Sequence, residues 1–149
     1  MHANTIQKYQ KRTPAFLIKK ATEVFNEYIR LRDQDAAQRV FFCISCGLPK
    51  PLEQLQAGHY MSAGHHAAVR FDEDNVHGQC IRCNMHLSGN QANYRNALIR
   101  KLGLEKVEFI EMRAKMVSKW DRYSLIEIIE TYSEKVKELK ANNNLKLKI

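Results

Sequence analysis

Four cysteines, in two pairs, are the strongest constraint on this chain. Cys43-Ile44-Ser45-Cys46 and Cys80-Ile81-Arg82-Cys83 are C-x2-C hooks separated by residues 47–79, and they hold every cysteine of the 149-residue sequence. Four thiolates delivered as two short hooks suit one tetrahedral zinc ion, with Zn–S near ~2.3 Å. No ligand place is left open, so this zinc builds the fold and hydrolyses nothing. Closing a long loop through a metal also couples binding to folding. Gly47, directly after the first hook, permits the tight reversal that such a knuckle needs. Two rival uses of cysteine pairs fit less well. A disulfide framework belongs to exported chains, yet Met1–Arg12 is polar and unlike a signal peptide. A thiol redox protein would carry its C-x-x-C on a βαβ pattern, which is missing around either hook.

Charge is distributed around this centre rather than in it. The formal net charge is +8 and the isoelectric point about 9.4. Residues 1–42 contribute +4, residues 43–90 contribute −1 and residues 91–149 contribute +5. Basic flanks on a near-neutral centre favour a polyanionic partner gripped on both sides of a reaction centre. The blander reading is a generically basic soluble domain. No apolar run approaches the ~18–20 residues that span a bilayer, so no membrane role is expected. Paired cysteines without an export signal point to a reduced, cytoplasmic setting. The length suits one compact unit over 1–149, divided into a basic lead-in with a helix (1–42), a zinc-bound finger (43–90) and C-terminal helices (91–149).

Taken in order, residues 1–12 carry Lys8, Lys11 and Arg12 without apolar periodicity and read as a mobile lead-in. Thr13-Pro14 starts a helix, hydroxyl at the cap and proline in the first turn. Its stripe is Leu17, Ala21, Val24, Tyr28 and Leu31. Asp33 to Gln38 reads as a turn and Val40-Phe41-Phe42 as a strand. Neither Pro49 nor Pro51 suits a central strand. Strands are expected around Ala57–Met61 and Val76–Gln79, then a helix from Cys80 carrying Cys83, Asn84 and His86. The periodicity predicts a helix over Gln91–Leu102 stopped by Gly103, and another from about Glu105 with Val107, Ile110, Ala114 and Val117 inward. Ser124–Glu127 reads as a capping box opening a last helix, striped by Leu125, Ile129, Tyr132, Val136 and Leu139, with order ending at Asn142–Asn144. The fold class is α+β: a zinc-stapled ββα-metal core flanked by amphipathic helices.

His59 is the best general-base candidate, because an imidazole takes a proton near neutral pH. It needs a partner to fix its tautomer. Asn75 supplies orientation, either through its amide or by pinning the loop. Asn84 and His86, just past the second hook, are candidate ligands of a catalytic divalent ion, magnesium or manganese. Arg95, Arg100 and Lys101 on the next helix are the first DNA-binding candidates. A histidine, an asparagine and a helix-borne ligand around a zinc clip outline an HNH (His-Me finger) nuclease.

Cys43-Ile44-Ser45-Cys46-Gly47, Ala57-Gly58-His59-Tyr60, Arg70-Phe71 through Asn75, Gln79-Cys80-x-x-Cys83-Asn84 and Ser88-Gly89-Asn90 with Tyr94-Arg95 resemble the NinG family of lambdoid phages, also called Rap. The likeness runs from about Lys20 through Glu138. It implies a recombination nuclease acting on branched double-stranded DNA, Holliday junctions and D-loops, in the cytoplasm of the bacterial host, with phage or host recombination proteins as partners. It implies the HNH ββα-metal finger with zinc on four cysteines. By position His59 matches the first histidine of that motif, Asn75 its central asparagine and Asn84 the helix ligand.

Gly58 departs from the many HNH motifs that place a metal ligand directly before the base. Either another residue is the first ligand, among His65, His66, His77 and His86, or His59 binds the ion and another group is the base. His86 is favoured, although residues two apart on a helix do not face one way. The alternative function is a zinc-finger DNA-binding module without catalysis, which gives His59 no task. Paired cuts in a four-way junction suit a homodimer. The Leu125–Leu139 stripe offers its seam, unless that helix folds back on Leu17–Leu31 within the chain.

Overall fold

The computed structural model describes residues 3–147. Thr13 caps α2 (Pro14–Asp33) as its sequence predicts, its Oγ1 accepting the Phe16 N–H at 3.1 Å. The buried stripe of α2 runs through Leu17, Ala21, Val24, Phe25 and Ile29. Tyr28 and Leu31 of the expected stripe sit at its half-buried margin. Its partner is α5 (Arg122–Lys146), which presents Leu125, Ile126, Ile129, Tyr132 and Val136 to the same apolar cluster. The rings of Phe25 and Tyr132 meet edge-on at 4.8 Å between centroids. The seam expected for a dimer is therefore covered inside the chain, where the two stripes remove each other from water.

Three boundaries differ from expectation, each for a tertiary reason. Ala3–Tyr9 forms a helix, α1, although it lacks an apolar period. Tyr9 is buried with its hydroxyl on Glu130 of α5, and Arg122 donates to the Tyr9 and Arg12 carbonyls at 3.1 and 2.6 Å. Met1 and His2 of the expected lead-in lie outside the described residues. The α5 cap is Asp121 rather than Ser124: Asp121 Oδ1 accepts the Ser124 N–H at 2.8 Å, placing Ser124 inside the first turn. At its other end α5 continues through the three asparagines to Lys146 instead of stopping there. Leu145 is thus helical, and residues 148–149 of the expected frayed tail lie outside the described part.

Between these helices lie two small sheets. Strands β1 (Gln34–Asp35), β2 (Val40–Phe42) and β3 (Pro49–Pro51) are antiparallel in that order. β3 is an edge, the one place where two prolines without N–H groups are tolerated. Strands β4 (Leu55–His59) and β5 (Val76–Cys80) form an antiparallel pair in which Leu55 faces Cys80 and His59 faces Val76. The C-terminus of α2 is locked to β5: Asp33 Oδ2 accepts the Gly78 N–H at 2.6 Å, and Arg32 donates to the Val76 and Glu73 carbonyls at 2.8 and 3.1 Å.

After β5 the chain does not enter a regular helix. Arg82–His86 is a short π-type turn, and α3 (Gln91–Leu102) begins only after Ser88, Gly89 and Asn90, all at positive φ. α3 ends at Gly103 (φ +90) as predicted, and α4 (Leu104–Ala114) follows. Val117, expected on its inner face, lies beyond α4 and is 97% exposed. A second apolar cluster joins Tyr94, Leu98, Val107 and Ile110 of α3 and α4 to Tyr60 and Val69 of the β4–β5 connection.

Candidate active site

The sulfur atoms of Cys43, Cys46, Cys80 and Cys83 lie within 4.8 Å of one another. Tetrahedral zinc with Zn–S near ~2.3 Å separates its sulfurs by roughly 3.8 Å, so the four thiols fit the ion. The first hook turns at Gly47 (φ +69), where the Gly47 N–H reaches the Cys43 carbonyl at 2.8 Å. The Cys80 N–H and the Asn90 side-chain amide each point at a sulfur, Cys43 and Cys83, at 3.4 Å. Donors aimed at sulfur favour the thiolate a metal requires. This is the one group of three or more metal-binding side chains among the described residues.

The four-cysteine cluster lies at one end of the β4–β5 pair, beside Cys80, and His59 stands at the other end. Its Nε2 is 2.9 Å from the Arg70 carbonyl. A carbonyl only accepts, so Nε2 carries the proton and Nδ1 is left as the acceptor. Burial, reinforced by the Arg70 charge, lowers the His59 pKa against the opposing pull of that hydrogen bond. The ring is therefore neutral at pH 7 with its tautomer set. The partner that sets it is a backbone carbonyl, which side-chain reasoning from sequence had no means of finding.

Asn75 braces the loop that carries that carbonyl, through the neighbouring Val69. It is fully buried, its Oδ1 accepting the Met61 N–H at 2.8 Å. Its Nδ2 donates to the Met61 and Val69 carbonyls, both at 3.0 Å. Both ends of the loop that leaves His59 and returns to β5 are thus pinned by one amide. Of the two roles open to Asn75, the structure shows loop pinning.

Asn84 and His86 do not join this arrangement. Antiparallel partners share a sheet face and neighbours along a strand alternate. Gln56, Gly58, His77 and Gln79 therefore lie on one face, and Ala57, His59, Val76 and Gly78 on the other. Asn84 Nδ2 donates to Gln56 Oε1 at 2.8 Å, on the face opposite His59. His86 is exposed at the end of the π-type turn. Asn84 is thus engaged on the sheet face opposite His59. Gly58 has its own explanation: a Cβ there would lie 2.0 Å from Gln79 Oε1. Gln79 fills the space a residue-58 side chain would need. Its Nε2 donates to Ser45 Oγ and the Gly89 carbonyl at 2.7 and 2.6 Å, tying the first hook to the left-handed run after the second.

The three basic candidates on α3 also part company. At ~100° per residue, Arg100 and Lys101 stand about 140° and 240° around the axis from Arg95. Arg95 is paired with Glu111 of α4 at 2.6 Å, while Arg100 and Lys101 are exposed.

A family model described as "Bacteriophage Lambda NinG protein" matches residues 2–142. The chain belongs to the NinG family. It is 37% identical over 135 residues to Protein ninG of Salmonella phage P22, covering 91% of this chain and 63% of that protein. Protein ninG of Escherichia phage 933W is likewise 37% identical over 135 residues, covering 91% and 64%. For Escherichia phage lambda the figures are 36% identity over 135 residues, 91% and 63%. The chain thus spans a little under two thirds of the length of the curated NinG relatives it matches. No solved structure matches the chain significantly. Among the described residues no helix is long and apolar enough to cross a membrane.

Proposed function

We propose that this NinG chain is an endonuclease that hydrolyses phosphodiester bonds in branched DNA, such as Holliday junctions and D-loops, with His59 as general base. The observation that carries the reading is the buried imidazole of His59, its Nε2 on the Arg70 carbonyl, at the end of a strand pair whose other end carries the four-cysteine cluster. His59 Nδ1 takes a proton from a water molecule as its oxygen bonds to phosphorus. The phosphorus–oxygen bond of the leaving strand breaks, and that oxygen is protonated from solvent. Asn75 is a positioning residue, acting through the loop that holds the Arg70 carbonyl. The basic flanks supply phosphate contacts, with Arg100 and Lys101 freer for this than the paired Arg95. Binding of this kind weakens steeply with salt.

A divalent cation, magnesium or manganese, belongs to this reading as the group that stabilises negative charge at phosphorus. Asn84 is held by Gln56 on the sheet face opposite His59, and the chain's own contribution is the histidine and its supports. That separation is also what favours the second reading, a DNA-binding module whose zinc finger has no catalytic partner. Paired cuts at a junction call for two copies of the chain. With the α5 stripe covered by α2, a second copy would meet another face, and recombination proteins of phage or host would dock outside it. Incubation of a synthetic four-way junction and a linear duplex of the same sequence with the zinc-loaded chain, with and without magnesium or manganese, decides between the readings. The nuclease reading expects cation-dependent cutting of the junction in preference to the duplex. Tight junction binding with no cutting under either cation would select the binding module.

A further inference from the structure

A cleft of about 320 Å³ opens beside β5, between the end of α2, the first cysteine hook and the end of α3. Phe42, Ile44, His77 and Lys101 line it, with the Arg32–Asp33 pair at its base. That volume lies at the lower end of the ~300–1,000 Å³ range of clefts that take small ligands. Its volume is of the size of a single nucleotide.

Each wall offers something different. Phe42 is 65% exposed, an aromatic ring in the cleft wall outside the buried apolar clusters. Asp33 is fully engaged, with Oδ1 on Arg32 Nε at 2.6 Å and Oδ2 on Arg32 Nη2 at 3.0 Å and on the Gly78 N–H at 2.6 Å. Lys101 has no carboxylate within salt-bridge distance among the described residues, so it is the cleft's free cation. The polarity of His77 follows from one shared proton. Tyr94 has a single O–H, and it donates to the Gly58 carbonyl at 2.8 Å. The His77 Nδ1, 3.3 Å from the same oxygen, must then be the donor, and Nε2 is a bare acceptor. Burial and the Lys101 and Arg32 charges keep that ring neutral, its pKa pushed down to about 3.

We propose that this cleft receives one unpaired nucleotide of a DNA strand, its base stacked on Phe42, a base N–H donated to His77 Nε2 and a phosphate on Lys101. The inference rests on the reading that the chain handles branched DNA, whose branch points offer unstacked nucleotides. Every base has a π-face and an N–H donor, so the cleft is suited to recognising an unpaired position rather than a sequence. It is separate from His59, which lies on the other face of the β4–β5 pair.

The test measures affinity of the zinc-loaded full chain, by fluorescence anisotropy at fixed salt, for a single-stranded oligonucleotide, the same strand with abasic positions, and a duplex. Phe42→Ala removes an exposed ring and leaves the core intact. His77→Asn keeps a donor toward Tyr94 and removes the Nε2 acceptor. Phe42→Ala and the abasic strand should each weaken single-strand binding about tenfold, the size of one lost base–aromatic stack, with duplex binding changed less than about twofold. His77→Asn should show the same selectivity with a smaller loss, whereas Lys101→Gln, which removes a phosphate contact, should weaken single-strand and duplex binding alike. Unchanged single-strand binding in Phe42→Ala, or equal losses on duplex, would overturn the proposal. Displacement by free dAMP as effective as by the strand would put a free nucleotide there and overturn it too. A chain that cuts junctions yet ignores Phe42→Ala loses only the cleft. One that needs Phe42 for single strands and cuts nothing keeps the cleft and loses the nuclease.

Discussion

The α2–α5 layer and the cysteine-bearing centre are held together by different forces. Between α2 and α5 the buried side chains are apolar, with Leu17, Phe25 and Ile29 against Leu125, Ile126 and Ile129. In the centre, Ser45, Asn75, His77 and Gln79 are buried, and among the described residues no other hydroxyl, amide, imidazole or charged side chain outside the tyrosines is so buried. Apolar packing is non-directional and tolerates adjustment. A buried hydrogen-bonded group permits one geometry, and its satisfied network specifies the structure around it. The helical layer supplies bulk stability, while the centre supplies fixed positions, that of His59 among them.

The comparison breaks most visibly at the metal. Cys83→Ser, or chelation of the wild type, should release zinc and disorder residues 43–90, since apparent binding energies of structural zinc run to ~10–16 kcal/mol. Hydrogen exchange should become fast in the β4–β5 pair and stay slow in α2 and α5. Retention of slow exchange at β5 after metal removal would show that the centre does not depend on the clip.

Ile129→Glu attacks the other region. Ile129 is 1% exposed between α5 and α2, and an unpaired charge there should cost ~3–5 kcal/mol by denaturant titration. A change below ~1 kcal/mol would mean the two stripes separate easily and free the seam for a second copy.

Asn75→Ala sharpens the contrast within the centre. It deletes three hydrogen bonds and leaves the Met61 and Val69 backbone groups unpaired, a loss of ~2–4 kcal/mol. Any loss of cutting should track the loosened loop, and Asn75→Asp, which keeps the acceptor, should recover part of it.

The smallest effect is on pH dependence. The His77 pKa is about 3 in the folded chain against ~6.5 unfolded, so the unfolded state binds the proton first as pH falls. Stability should be full above ~6.5 and decline toward the folded value, by about 2 kcal/mol between pH 7 and 5 from this group. His77→Asn should flatten that slope relative to wild type. Zinc loss in acid affects both proteins, so the difference between them is the measured quantity.

The same division explains what the sequence made legible. The cysteine hooks, the Thr13-Pro14 start, the Gly103 stop and the paired strands follow from local spacing, and the structure has them all. So is the alternative in which α5 folds back on α2, since equal periodicity in two helices leaves both packings open. The site was readable only in its residue types. His59 and Asn75 were named, but the Arg70 carbonyl that fixes His59 and the Tyr94 hydroxyl that fixes His77 are backbone and long-range contacts with no spacing to betray them. A regular α-helix after Cys80, as the sequence suggests, makes Asn84 a candidate metal ligand. The π-type turn and the left-handed run 88–90 turned it toward Gln56 instead.

The claim that the centre holds His59 ready for chemistry is tested most directly by His59→Ala. The measurement is the single-turnover cutting rate of a four-way junction with magnesium, alongside junction affinity and melting temperature. The account predicts a fall of ~10²–10⁴-fold in rate with affinity and stability nearly unchanged, the signature of a lost general base. Cutting at near wild-type speed by a folded His59→Ala chain would contradict it and place the base elsewhere.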